Sequence, residues 1–240
     1  MLTVLLVLVF ICLIIDICLV GFTVTRPDRE RTTCFTILCC VLVIYTLGYM
    51  IELLARTQGE AYLALVVENF AIPNIAPFFF LTSICLFTPK KYKNWYAIAA
   101  IIYGLTLFTI VLTNDYHMLY YTSIELVGSG ADKFLQLGRG PLYAINQVLA
   151  VVCMFIAYGI LFNRFFKGSK KLRRQMIFFI IGSFASFLAN ILNFSGLLPV
   201  GVDPTPIALT FGLVCFSVSL VKDDLMDVVI RARNTALEIM

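Results

Sequence analysis

Three carboxylic acids, Asp16, Glu52 and Glu68, fall inside long apolar runs of the sequence, where an ionised group is costly and marks a candidate site. Paired carboxylates in one plane of a membrane would suit hydrolysis or proton relay. Counted along the segments that carry them, these three do not share a depth. Asp16 precedes Arg26 by about 15 Å of helix, near mid-bilayer. Glu52 stands one turn inside the outer end of its segment, and Glu68 in the outer third of the next. Amides and acids accompany them: Asn69 beside Glu68, Asn114 with Asp115 and His117, Asn146 with Gln147, Asn190 and Asn193 on one helical face, and Asp203.

This distribution reads as a polar cavity open to the outside and floored by Phe and Leu, the shape a small external ligand requires. The candidate ligand-binding residues are Glu52, Glu68, Asn69, Asn114, His117, Asn146, Asn190, Asn193 and Asp203. Pro73 and Pro77, four residues apart, would kink their helix and free backbone carbonyls beside the cavity. Hydrogen bonding between helices is the competing account of Glu68, Asn69, Asn146 and Asn190. Plain solvation at helix ends competes for Asn114, Asp115, Asp203 and Glu52. Asp16 reads as a protonated or hydrogen-bonded packing residue, and His117 as a loop residue packing locally rather than a metal ligand.

Other chemistries lack their residues. No HExxH, GxSxG or phosphate-binding loop occurs, so the chain is expected to be no enzyme. Between Asp203 and Val221 there is no lysine to form a retinal Schiff base. The eight cysteines all lie in apolar runs, which suits small packing side chains better than a disulfide framework or a zinc site. No cofactor is expected, and no basic face argues for nucleic acid.

The elements that must position these groups are membrane helices. Hydrophobic residues make up 61% of the 240 and charged residues only 13%, at a mean hydropathy of +0.96. A soluble domain carries about 25% charged residues. Runs of roughly 20 apolar residues, enough to cross about 30 Å of hydrocarbon, occur near 1–24, 33–55, 62–88, 95–113, 140–163, 175–198 and 204–221. Lys and Arg cluster between alternate runs, at Arg26 to Arg31, Lys90 to Lys93, Arg164 to Arg174 and in the tail. The opposite side holds only Arg56, Lys133 and Arg139. The positive-inside rule then places the N-terminus outside and the C-terminus in the cytoplasm of a seven-transmembrane, all-α bundle. Residues 1–221 form the transmembrane domain and 222–240 a cytoplasmic signalling helix or linker.

The loop from Asn114 to Arg139 sets aromatic and β-branched runs on either side of "GSGAD". It is expected to form an ordered extracellular β-hairpin between the fourth and fifth spans, with alternation around Tyr120–Ile124 turning one face onto the helix ends. In the tail, Leu225, Val229, Ala232, Ala236 and Ile239 follow a 4-3-4-3 spacing. That seam suits a dimerising signal-relay helix, or a short amphipathic helix lying on the membrane.

Four segments together resemble a known family. "TNDYHMLYY" from Thr113 is similar to the signature after the fourth helix in the N-terminal seven-helix region of bacterial sensor histidine kinases. "RGPLYAINQV" from Arg139 resembles its fifth-helix start, and "LANILNFSGLLPVGVDPTPIALTF" its sixth-to-seventh junction. "LMDVVIRARNTALEIM" resembles its exit segment, although Val229–Ile230–Arg231 stand where the family usually carries a proline. On this resemblance Asn114, His117, Gly140, Pro141, Asn190 and Asp203 occupy motif positions. It implies the receptor domain of a two-component histidine kinase, sensing a small extracellular ligand and relaying it through the last helix. The implied partners are that ligand, the lipid bilayer, a second copy through the cytoplasmic helix, and a kinase or other output module. The alternative is an ion-coupled transporter using Asp16, Glu52 and Glu68.

Overall fold

A chain in hydrocarbon must pair every backbone N–H and C=O within itself, so its apolar runs become helices. The computed structural model describes residues 2–25, 29–87, 94–128, 133–195, 197 and 202–221. In chain order these form α1 (Leu2–Val24), α2 (Arg29–Leu54), α3 (Gln58–Phe87), α4 (Asn94–Leu112), the one-turn α5 (Asn114–His117), β1 (Tyr121–Val127), β2 (Phe134–Arg139), α6 (Pro141–Lys167) and α7 (Lys170–Ser195). A final apolar helix, α8, spans Thr205–Val221. Six of these helices, α1 to α4 with α6 and α7, are long and apolar enough to cross a membrane. The described part of α8 is shorter, about 25 Å at 1.5 Å per residue. The tail residues Leu225, Val229, Ala232 and Ala236 lie outside the described residues.

The observed helices differ from the hydropathy spans mainly at charged ends. α6 continues to Lys167, and α7 begins at Lys170. Hydropathy falls at the first cation, whereas a helix runs on while long basic side chains reach for water. α3 passes through Pro73 and Pro77 without a break.

α3 packs against α2, α4 and α6, with α1 outside α2. Lipid supplies no hydrophobic drive between helices, so close backbone approach and hydrogen bonds must hold them. Gly182 and Gly212 provide the first between α7 and α8: a Cβ on Gly182 would stand 2.9 Å from the Gly212 Cα. Asp16 provides the second. It is fully buried, and its Oδ2 accepts from Thr46 Oγ1 at 2.9 Å and Thr210 Oγ1 at 3.1 Å, tying α1, α2 and α8 together. This agrees with its reading as a packing residue. All eight cysteines lie within helices as thiols, and Cys85 Sγ donates to Cys34 Sγ at 3.3 Å.

At the end of the bundle away from the hairpin, Phe179 stacks on Phe216 at 3.8 Å and on Phe79 at 5.5 Å, forming an aromatic floor. Phe10 and Ile14 on α1, Ile98 and Ile102 on α4, and Val148 and Phe155 on α6 are exposed. Such apolar outer faces suit hydrocarbon.

The expected hairpin is present. β1 and β2 pair antiparallel from Tyr121↔Arg139 to Val127↔Phe134, with a register irregularity between Tyr121 and Ser123. An irregularity of this kind breaks the two-residue period. Tyr120, just before β1, and Tyr121 are both buried, so the expected alternation fails at its first step. Nor do all the apolar groups of the loop fold down: Tyr116, Met118 and Leu119 are exposed. Gln58 holds the hairpin edge as a neighbouring strand would. Its Nε2 donates to Ile124 O at 2.5 Å and its Oε1 accepts from Leu126 N–H at 3.1 Å.

Candidate functional site

Beneath the hairpin lies a cavity of about 300 Å³. α2 contributes Tyr45, Tyr49 and Glu52, α3 contributes Glu68, and β2 contributes Arg139. α6 adds Tyr143, Asn146 and Gln147, α7 adds Asn190 and Asn193, and the approach to α8 adds Asp203.

Glu52 and Glu68 bring their carboxyl groups together at the wall of this cavity. The two come together although residue counting sets them at different depths along their helices. The cause is side-chain direction. Helical Cα–Cβ bonds lean toward the N-terminus, and α2 and α3 run antiparallel through a short turn. Glu68 therefore leans toward the hairpin and Glu52 away from it, closing a gap that residue counting leaves open. Glu68 is buried, and its Oε1 has no hydrogen-bond partner.

Asp203 is held from three sides. Tyr45 donates to its Oδ2 at 2.9 Å, the Thr205 N–H donates to its Oδ1 at 2.8 Å, and its own N–H donates to the Tyr49 hydroxyl at 2.8 Å. The Arg139 guanidinium lies over the Tyr143 ring at 5.4 Å and acts electrostatically on Asp203.

Six of the nine sequence candidates thus line one cavity: Glu52, Glu68, Asn146, Asn190, Asn193 and Asp203. The other three stand outside the lining. Asn69 exchanges hydrogen bonds with the Tyr121 hydroxyl at 3.0 and 3.2 Å. Asn114 is buried, and its Oδ1 accepts the N–H groups of Tyr120 and Tyr121 while its Nδ2 donates to Tyr121 O. His117 bonds Thr113 Oγ1 and the Leu119 N–H, both within its own turn. Asn146 has a double role: it lines the cavity and also ties Tyr103 to Tyr120. Tyr45, Tyr49 and Tyr143 are additions that sequence reasoning missed, because a tyrosine in an apolar run counts as hydrophobic while its hydroxyl remains a hydrogen-bonding group.

A family model described as the N-terminal 7TM region of histidine kinase matches residues 5–229. The chain belongs to that family. This 7TM histidine-kinase region is a multi-pass membrane sensory input domain, distinct from the catalytic part of such a kinase. No curated protein matches the chain.

One test of this 7TM site concerns Asp203. Burial pushes its carboxyl above the ordinary value of 3.8, and the Thr205 and Tyr45 hydrogen bonds and the Arg139 charge pull it only part of the way back. The folded state therefore favours the protonated form. That stabilisation is complete below the ordinary value and is lost as pH rises through the folded one. Asp203→Asn keeps a neutral acceptor at every pH. The unfolding midpoint of the wild type is expected to fall relative to this variant as pH rises above the ordinary carboxyl value. Thermal unfolding in detergent at fixed ionic strength measures it, and a constant gap between the two proteins would contradict the assignment.

Proposed function

We propose that this input domain senses a small, partly apolar extracellular ligand in the cavity beneath the hairpin. The N-terminus stands outside, seven helices cross the membrane with α8 as the seventh, and residues 222–240 leave it on the cytoplasmic side. Glu52, Glu68, Asn146, Asn190, Asn193 and Asp203 contact the ligand; Asn69 and Asn114 hold the hairpin that roofs it, and His117 closes the turn that precedes it. Binding biases the pose of α8 through Asp203, and Leu225, Val229, Ala232 and Ala236 pass that bias to a dimeric output module. A ligand shifts such an equilibrium only by its differential affinity for the two poses.

The observation that carries this reading is the buried, unpartnered Oε1 of Glu68, a residue in the lining of a cavity whose walls include the approach to α8. An ion-coupled carrier would need a polar route through the opposite end of the bundle, which Phe79, Phe179 and Phe216 fill.

The test plugs the cavity. With a histidine-kinase module joined after Met240 and the protein in vesicles, Asn190→Trp is expected to change autophosphorylation by about tenfold, a bias of about 1.4 kcal/mol between poses. Wild-type output from the plugged protein would sink the proposal.

A further inference from the structure

Among the described lining residues of the cavity are three carboxylic acids, Glu52, Glu68 and Asp203, and a single cation, Arg139. Arg139 is engaged with Tyr143 and Asp203. The neighbouring Glu52 and Glu68 have no cation of their own in that lining, and one Glu68 oxygen has no donor. A buried carboxylate oxygen without a donor is costly, and a partner that supplies one recovers the loss.

Resting on the reading of this cavity as a ligand site, we infer that its ligand carries one positive charge. It is an ammonium or amidinium group on an apolar body, seated at Glu68 Oε1 beside the rings of Tyr45 and Tyr49. Three features select that class. The free oxygen accepts an N–H. Tyrosine faces attract a cation once water is excluded. Leu65, Ile72 and Met154 supply an apolar wall for the remainder. An anion would find the only lining cation already engaged. A divalent metal is a poorer fit, since among the described residues no three metal-ligating side chains converge.

Binding changes no covalent bond: the cation's N–H donates to the Glu68 oxygen that has no donor. The other titratable groups around the pair are Tyr45 and Tyr49 on α2, Tyr121 on β1, Arg139 on β2, Tyr143 on α6 and Asp203 before α8; the α7 lining brings none.

The test uses the purified full chain in lipid nanodiscs and three probes of matched shape: 2-phenylethylammonium, 2-phenylethanol and 3-phenylpropionate. Binding is read by calorimetry, with empty nanodiscs subtracted. The ammonium is expected to bind about tenfold more tightly than the alcohol, as a charge-assisted contact should. The carboxylate should bind least. Glu52→Gln and Glu68→Gln should each abolish the ammonium preference while retaining the alcohol. Tighter binding of the carboxylate, or a preference that survives both variants, overturns the inference and leaves the cavity as a ligand site. Binding of none of the probes removes both. Because the charge series is read on the wild type, a variant that fails to fold does not spare the inference.

Discussion

Replacing Asn114 with alanine releases the hairpin from the bundle. One buried side chain satisfies three backbone groups, the N–H of Tyr120, the N–H of Tyr121 and the carbonyl of Tyr121. Alanine leaves all three without that partner in a closed site. An unsatisfied buried group costs about 1–3 kcal/mol, so a loss of about 3 kcal/mol or more is expected. Tyr120 and Tyr121, nearly inaccessible in the folded protein, would then take water. Hydrogen exchange of their amides should accelerate by about a hundredfold or more, and the cavity should lose its roof. His117→Ala makes the contrast. Its bonds close only its own turn on a partly exposed surface, so the change should stay within about 0.5 kcal/mol. Equal exchange rates in wild type and Asn114→Ala would show that the hairpin is held by something else.

The second large effect is expected at Gly48. A Cβ there would stand 2.6 Å from Glu68 Cγ and 2.9 Å from the Glu68 backbone nitrogen. The obstruction includes main chain, so side-chain rotation alone does not relieve it. Overpacking of this kind costs about 1–3 kcal/mol for a small addition and more when the backbone must shift. Gly48→Ala should lower the unfolding midpoint and displace Glu68 from Glu52; Gly48→Leu should prevent the α2–α3 pair from forming. Gly21 and Gly159 serve as controls, because a Cβ at either meets nothing within 4 Å. Alanine at these helical sites should be neutral or stabilising by a few tenths of a kcal/mol, up to about 1. Equal losses at Gly48 and Gly159 would contradict the close approach of α2 and α3.

The frame of the molecule was legible because membrane helices announce themselves by length and apolarity alone. Residues such as Lys167 and Lys170 moved boundaries without moving the helices. The hairpin was legible from its turn signal and its aromatic runs, yet the register irregularity after Tyr121 was not, since it depends on how two strands fit together. The site was half legible. Polarity in an apolar run singled out Glu52, Glu68, Asn190 and Asp203, and these line one cavity. It does not tell which way an amide points, and so Asn69 and Asn114 proved to fasten the hairpin tyrosines rather than face the cavity. The Glu52–Glu68 contact escaped because depth counted in residues ignores the opposite lean of side chains on antiparallel helices. Tyr45 and Tyr49 escaped because their rings disguise their hydroxyls.

On the proposed orientation, the cavity beneath the hairpin opens to the outside of the cell and to no other compartment. Labelling a single cysteine at Asn190, with the native cysteines replaced by serine or alanine, tests it most directly. A membrane-impermeant maleimide should modify Asn190→Cys in intact cells and fail to do so in inverted vesicles. Modification in inverted vesicles with protection in intact cells would contradict the account.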